Sequence, residues 1–119
     1  MLLYFIREAT QSVVIIELLD GRALSNYRNF NFMKLVDYYA DWCGPCLMMK
    51  PVVEEVMAGL SGITLEEVNV DKDQDRAGKA NVMSIPTFVI EDDNGKELDR
   101  KIGGLGKEDF QKWVSSFIK

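Results

Sequence analysis

Runs of β-branched and aliphatic residues alternate along this chain with stretches in which apolar positions recur every three or four residues. That alternation predicts strands separated by helices. Ser12 to Leu19 (Ser-Val-Val-Ile-Ile-Glu-Leu-Leu) reads as a first buried strand, ended by Asp20-Gly21. Arg22 to Asn31, with Tyr27 and Phe30 as its scattered aromatics, reads as a short helix. Lys34 to Ala40 is almost continuously apolar, as expected of a strand covered on both faces in a parallel sheet. From Cys43 onward Met49, Val52, Val53, Val56, Met57 and Leu60 form one helical stripe, with a kink expected at Pro51 and an end at Ser61-Gly62. Leu65 to Val70 reads as a third strand and Asp73 to Ala80 as a short polar helix. Thr87 to Ile90 and Glu97 to Ile102 flank Asn94-Gly95, a strong signal for an antiparallel hairpin. A last helix follows Gly106, with Glu108 and Asp109 suiting its positive end and Phe110, Trp113, Val114, Phe117 and Ile118 forming its apolar face.

The implied architecture is α/β. Three parallel strands plus an antiparallel hairpin make a mixed five-stranded sheet, flanked on both faces by four helices. No repeat, linker or low-complexity tract divides the chain, so residues 1–119 read as one domain, with 1–12 as an N-terminal extension of unassigned structure.

Composition narrows the function. The chain has 119 residues, 19 acidic against 14 basic, and a net charge of -5. That excess of negative charge argues against binding nucleic acid or an anionic membrane surface. Met1 to Ile6 is apolar but stops at Arg7-Glu8, too short for a signal peptide, and no run approaches the roughly 20 apolar residues that span a bilayer. The chain reads as cytoplasmic. It contains no His, which removes the commonest general base and metal ligand, and only two Cys, Cys43 and Cys46.

Those cysteines stand in Ala40-Asp41-Trp42-Cys43-Gly44-Pro45-Cys46, where a strand gives way to a helix. At a helix N-terminus the unpaired N–H groups and the dipole favour an anion, so the Cys43 thiol is expected to ionise more readily than a free one. The three-residue spacing turns both sulfurs to one helix face, within reach of a disulfide. Pro45 suits a first turn, where its missing N–H would have no partner, and small Gly44 and Pro45 would leave Cys43 open to a large substrate. Zinc would need four ligands, and this chain has neither a second Cys pair nor a His; a metal shared across a dimer is the remaining metal reading.

The segments Leu35 to Cys46, Pro51, Val68-Asn-Val-Asp71, Val82-Met-Ser-Ile-Pro-Thr87, Asn94-Gly95 and Ile102-Gly103 resemble the thioredoxin family in order and spacing, over about residues 13–118. The resemblance implies a thioredoxin fold and reduction of disulfides in target proteins. Cys43 would be the nucleophile and Cys46 the resolving thiol. It implies no bound cofactor or metal, a thioredoxin reductase using NADPH as electron donor, and a monomer.

Asp37 interrupts an apolar strand. Pattern alone leaves an exposed strand edge and a buried position equally open. The resemblance implies a buried carboxyl that takes a proton from Cys46, and burial would raise its pKa toward neutrality. Pro86 would be trans on general grounds; the resemblance implies a cis Ile85-Pro86 bond packed on the cysteines, with Ile85 offering backbone hydrogen bonds to an extended substrate. Trp42 would shield one side of the disulfide, and Gly103 would border the substrate groove. Tyr38, Tyr39, Met48 and Met49 read as packing residues. Two departures bear on tuning: Leu47 and Glu67 stand where the family commonly has Lys. Leu47 makes the rim less basic, and Glu67 should raise the Asp37 pKa further. Alternative readings are a non-catalytic binding module that uses the same groove, and a disulfide oxidase or isomerase.

Overall fold

A computed structural model describes residues 3–7, 13–17 and 32–118. In chain order its elements are β1 (Leu3–Arg7), β2 (Val13–Glu17), β3 (Met33–Tyr39), α1 (Gly44–Ala58), β4 (Ile63–Asn69), α2 (Gln74–Lys79), β5 (Thr87–Glu91), β6 (Glu97–Ile102) and α3 (Lys107–Ser115). Four of these strands form one sheet in the order β4-β3-β5-β6. The α1 crossover makes β3 and β4 parallel, with Leu35 beside Leu65 and Asp37 beside Glu67. β5 runs antiparallel to both β3 and β6.

The period-two alternation of β3 divides the core. Leu35, Phe88 and Ile90 point to one face, where Met49, Val53 and Val56 of α1 and Phe110 and Val114 of α3 cover them. Phe88 and Phe110 meet edge to face with ring centroids 5.1 Å apart. Val36, Tyr38 and Val89 point to the other face, beneath Ala77 of α2. Arg100 of β6 ties the end of α2 to the sheet, its guanidinium donating to the Ala80 carbonyl at 2.7 Å.

Three of the four expected helices and the hairpin follow the pattern expected of the sequence. α1 stays one element across Pro51, and β5 and β6 are joined through Asp92 to Lys96. The Asp92 carboxylate accepts from the Asn94 and Lys96 amides, both at 2.9 Å, and Gly95 takes a positive φ of 85°. No helix among the described residues is long and apolar enough to cross a membrane.

The N-terminal third departs from expectation. Among the described residues the central sheet has four strands rather than five, and only β3 and β4 are parallel. The apolar run Val13–Glu17 is a strand, but it pairs antiparallel with Leu3–Arg7 in a separate two-stranded sheet, Phe5 opposite Ile15. Period and β-propensity report that a segment is extended without naming its partner. A partner a few residues away in sequence is reached at small loop-closure cost, whereas a parallel one needs a full crossover. The helix expected over 22–31 lies outside the described residues.

α2 shows how a short element is held locally. Asp73 caps it, its carboxylate accepting from the Arg76 amide at 3.1 Å, and Asp75 occupies the first turn. Asp73→Ala should lower stability by about 1 kcal/mol in urea unfolding without changing the fold. An unchanged midpoint would show that the cap carries no net stability.

Candidate active site

The cysteine pair sits where the chain leaves the C-terminal end of β3. The Cys43 amide bonds the Ala40 carbonyl at 3.2 Å, a tight turn that delivers Cys43 to the N-cap of α1. Its extended backbone (φ -88°, ψ 109°) lets the sulfur fold back over the first turn, where it accepts the Cys46 amide at 3.1 Å. Pro45 occupies that first turn without wasting a donor, and no acidic residue stands there to oppose negative charge on the sulfur. Cys43 and Cys46 are joined as a disulfide with Cα atoms 5.2 Å apart.

Around the pair lies a groove of about 490 Å³. Trp42, Cys43, Gly44 and Pro45 form one wall, and Val70 with Val82, Met83, Ser84 and Ile85 the other. The Ile85-Pro86 peptide is cis. Pro86 is fully buried behind the groove, and its carbonyl accepts from the Gly103 amide at 2.8 Å. Gly103 needs its lack of a Cβ there, since its φ is 94°. The structure thus gathers Trp42, Cys43, Gly44, Pro45 and Ile85 on the lining, while buried Pro86, next to Ile85, and Gly103, hydrogen-bonded to Pro86, are not part of it. Cys43 is more enclosed than small neighbours suggested: only 4% of its surface is exposed, and the groove is its opening.

Trp42 is 70% exposed, so it is no core aromatic; its indole N–H donates to the Asp71 carboxylate at 2.8 Å. Leu47 (56% exposed), Met48 (76%) and Met83 (87%) extend an apolar rim around the pair. Met48 therefore departs from the packing role expected of it, while Met49 is buried and its sulfur accepts the Leu105 amide at 3.4 Å. Tyr38 is fully buried, and Tyr39 packs against the cysteine cluster. Asp71 and Met83 were not singled out by sequence reasoning. The stretch Val82 to Thr87, which carries the cis proline, was the signal available for Met83.

Asp37 is buried, on the β3 face covered by α1, the helix that begins at the cysteines. The ambiguity left by the sequence pattern resolves in favour of burial. Loss of hydration raises its pKa to about 7; Glu67, beside it on β4, pushes the same way, and Lys50 of α1 opposes. The expected effect of Glu67 on this carboxyl is therefore present.

A thioredoxin family model matches residues 25–116. That range begins after β2, in keeping with the separate N-terminal hairpin and later than residue 13, where the resemblance was expected to start. Thioredoxin of Chlamydia trachomatis is 40% identical over 81 residues, covering 68% of this chain and 78% of the relative. Thioredoxin of Bacillus subtilis is 38% identical over 85 residues, covering 71% and 81%. Among solved structures, a mutant thioredoxin from Halobacterium salinarum superposes with a TM-score of 0.67 at 32% identity, covering 73% of this chain and 75% of its own. Oxidised mitochondrial thioredoxin 3 of Saccharomyces cerevisiae gives 0.65 at 29% identity, covering 71% and 78%. Sequence, fold and a cysteine pair at disulfide distance agree: this chain belongs to the thioredoxin family and is a thiol–disulfide oxidoreductase that reduces protein disulfides.

Proposed function

We propose that Cys43 is the attacking thiol, Cys46 the resolving thiol and Asp37 the proton acceptor of this reduction. In the reduced protein the Cys43 thiolate attacks one sulfur of a target disulfide. A mixed disulfide forms and the other target sulfur leaves as thiolate. Cys46 then gives its proton to the Asp37 carboxylate and attacks the Cys43 sulfur. The reduced target departs, leaving the Cys43–Cys46 disulfide, and two electrons from a reductase restore the dithiol.

The observation that carries this reading is the asymmetry of the pair. Cys43 lines the groove and accepts the Cys46 amide, whereas Cys46 lies in the first turn of α1, off that lining. The groove walls at Trp42 and Ile85, with Pro86 next to Ile85 and Gly103 hydrogen-bonded to Pro86, are the surface on which an extended target segment lies. Targets and a reductase follow from the family. The specific donor is a thioredoxin reductase drawing on NADPH, and the working form is a monomeric single domain, residues 1–119, in the cytoplasm, using no metal or cofactor of its own.

Cys46→Ser tests the order of events. Reduced beforehand and incubated with insulin in its disulfide form, this variant should accumulate a mixed disulfide through Cys43, visible as a mass adduct released by dithiothreitol. Absence of any adduct while Cys43 stays reactive toward iodoacetamide would remove Cys46 from the resolving role.

A further inference from the structure

The groove wall that faces the cysteine loop begins where α2 ends. Asn81 follows the helix in the left-handed region, at a φ of 61° that Asn tolerates better than most residues. The Asn81 amide donates to the Gly78 carbonyl and the Val82 amide to the Ala77 carbonyl, both at 3.0 Å. This pair of bonds reverses the chain at a helix C-terminus, and Val82 packs on the cluster that contains Ala77, the apolar contact that accompanies such a reversal. Val82 is also the first residue of the wall, which runs on through Met83 and Ser84 to Ile85.

The last carbonyls of a helix have no partner within it. Here Arg100 of β6 supplies one. Arg100 stands opposite Val89 in the register of β5 and β6, so it shares the sheet face that α2 covers. Its Nη2 donates to the Ala80 carbonyl at 2.7 Å, and its Nη1 lies 3.5 Å from the Asn81 carbonyl. The guanidinium is itself held, Nε and Nη2 donating to the two Glu97 carboxylate oxygens at 2.7 Å each. Toward the other end of the wall the Thr87 hydroxyl, on β5, donates to the Ser84 carbonyl at 2.7 Å. Side chains of the sheet therefore tie the wall at both ends, and between the ties Met83 stands exposed.

We propose that Arg100, oriented by Glu97, is a positioning residue for target binding, a clasp that fixes the Val82 to Ile85 wall at the width an extended protein segment requires. This rests on the reading that such a segment lies in this groove. The side-chain partners of Arg100 are Ala80, Asn81 and Glu97, none of them on the groove lining. Its effect therefore falls on capture of a protein target and not on thiol–disulfide exchange. A wall released from the sheet is competent for only part of the time, and apparent affinity falls by that fraction. A small disulfide needs the Cys43 sulfur alone and escapes the effect.

The test is single-turnover reduction by the full chain, reduced beforehand and mixed with excess insulin or with excess hydroxyethyl disulfide. Arg100→Met should raise the half-saturating insulin concentration about fivefold and leave the limiting rate nearly unchanged. Its rate with hydroxyethyl disulfide should match the wild type. Arg100→Lys keeps the charge without the fork and should fall between the two. Glu97→Ala should shift insulin saturation in the same direction, and adding it to Arg100→Met should change nothing further, because Glu97 acts through Arg100. Asp73→Ala, which loosens the opposite end of α2, should leave insulin saturation at the wild-type value; a shift as large as that of Arg100→Met would reduce the clasp to general stability and overturn the proposal. Met83→Glu, on the wall itself, should raise the half-saturating insulin concentration. If it does so while Arg100→Met does not, the proposal is overturned and the groove reading stands. Equal slowing of both disulfides by Arg100→Met overturns the proposal as well. Unshifted insulin saturation in Met83→Glu and Arg100→Met alike overturns the groove reading, and the proposal with it.

Discussion

Cys43→Ser should lower insulin reduction, with dithiothreitol as donor, to the rate of dithiothreitol alone, a loss of about 10³-fold or more. Two properties vanish together. A serine hydroxyl stays protonated near neutral pH where a thiol at this position ionises, and oxygen cannot take part in a mixed disulfide. Burial does not decide which cysteine attacks, since Cys43 and Cys46 are both nearly enclosed, at 4% and 7% exposed. The groove is what favours Cys43 in the proposed mechanism. Cys43 forms part of its lining, and the Cys46 amide that donates to the Cys43 sulfur stabilises charge there. The substitution keeps the N-cap, because Ser accepts the same amide hydrogen bond, so α1 should persist. Circular dichroism matching the wild type alongside lost activity would assign the loss to chemistry. Retained activity would remove Cys43 from the mechanism.

How far this site could be read in advance depended on how local its causes are. The cysteine pair, Pro45 and the helix they open are neighbours in sequence, and the physics that makes them reactive acts over one helical turn. The β5–β6 hairpin was legible for the same reason, its turn being written in Asn94-Gly95. Asp37 was half legible. A charged residue in an apolar strand is conspicuous, but which face it takes depends on α1, seven residues and a turn away. Lys50 was illegible because its effect requires α1 to cross over β4 and bring its ammonium to Glu67. The strand Val13–Glu17 failed in another way. Its extended conformation was plain in its β-branched residues, but its partner was set by chain closure, which hydrophobic pattern does not report.

Asp37→Asn should stabilise the oxidised protein above neutral pH and leave it nearly unchanged in acid. The native carboxyl has a midpoint near 7, raised first by burial and then by Glu67, against an ordinary value of 3.8. Between those values the native state holds more protons than the unfolded chain, so raising the pH draws the equilibrium toward unfolding. Wild-type stability should therefore fall as pH climbs through that window, by about 4 kcal/mol once the carboxylate is fully formed. Asparagine has nearly the same shape and no charge to bury, so its curve should stay flat and cross above the wild type. Urea unfolding of both proteins at a series of pH values reads the divergence directly; parallel curves would mean that Asp37 is not held above its ordinary pKa. Under the mechanism we propose, the same substitution should slow target release, because Cys46 would then lack its proton acceptor. A carboxylate that destabilises the fold above neutrality thus sits where the proposed mechanism needs a base, and on that proposal relieving the cost of its burial should remove the base with it.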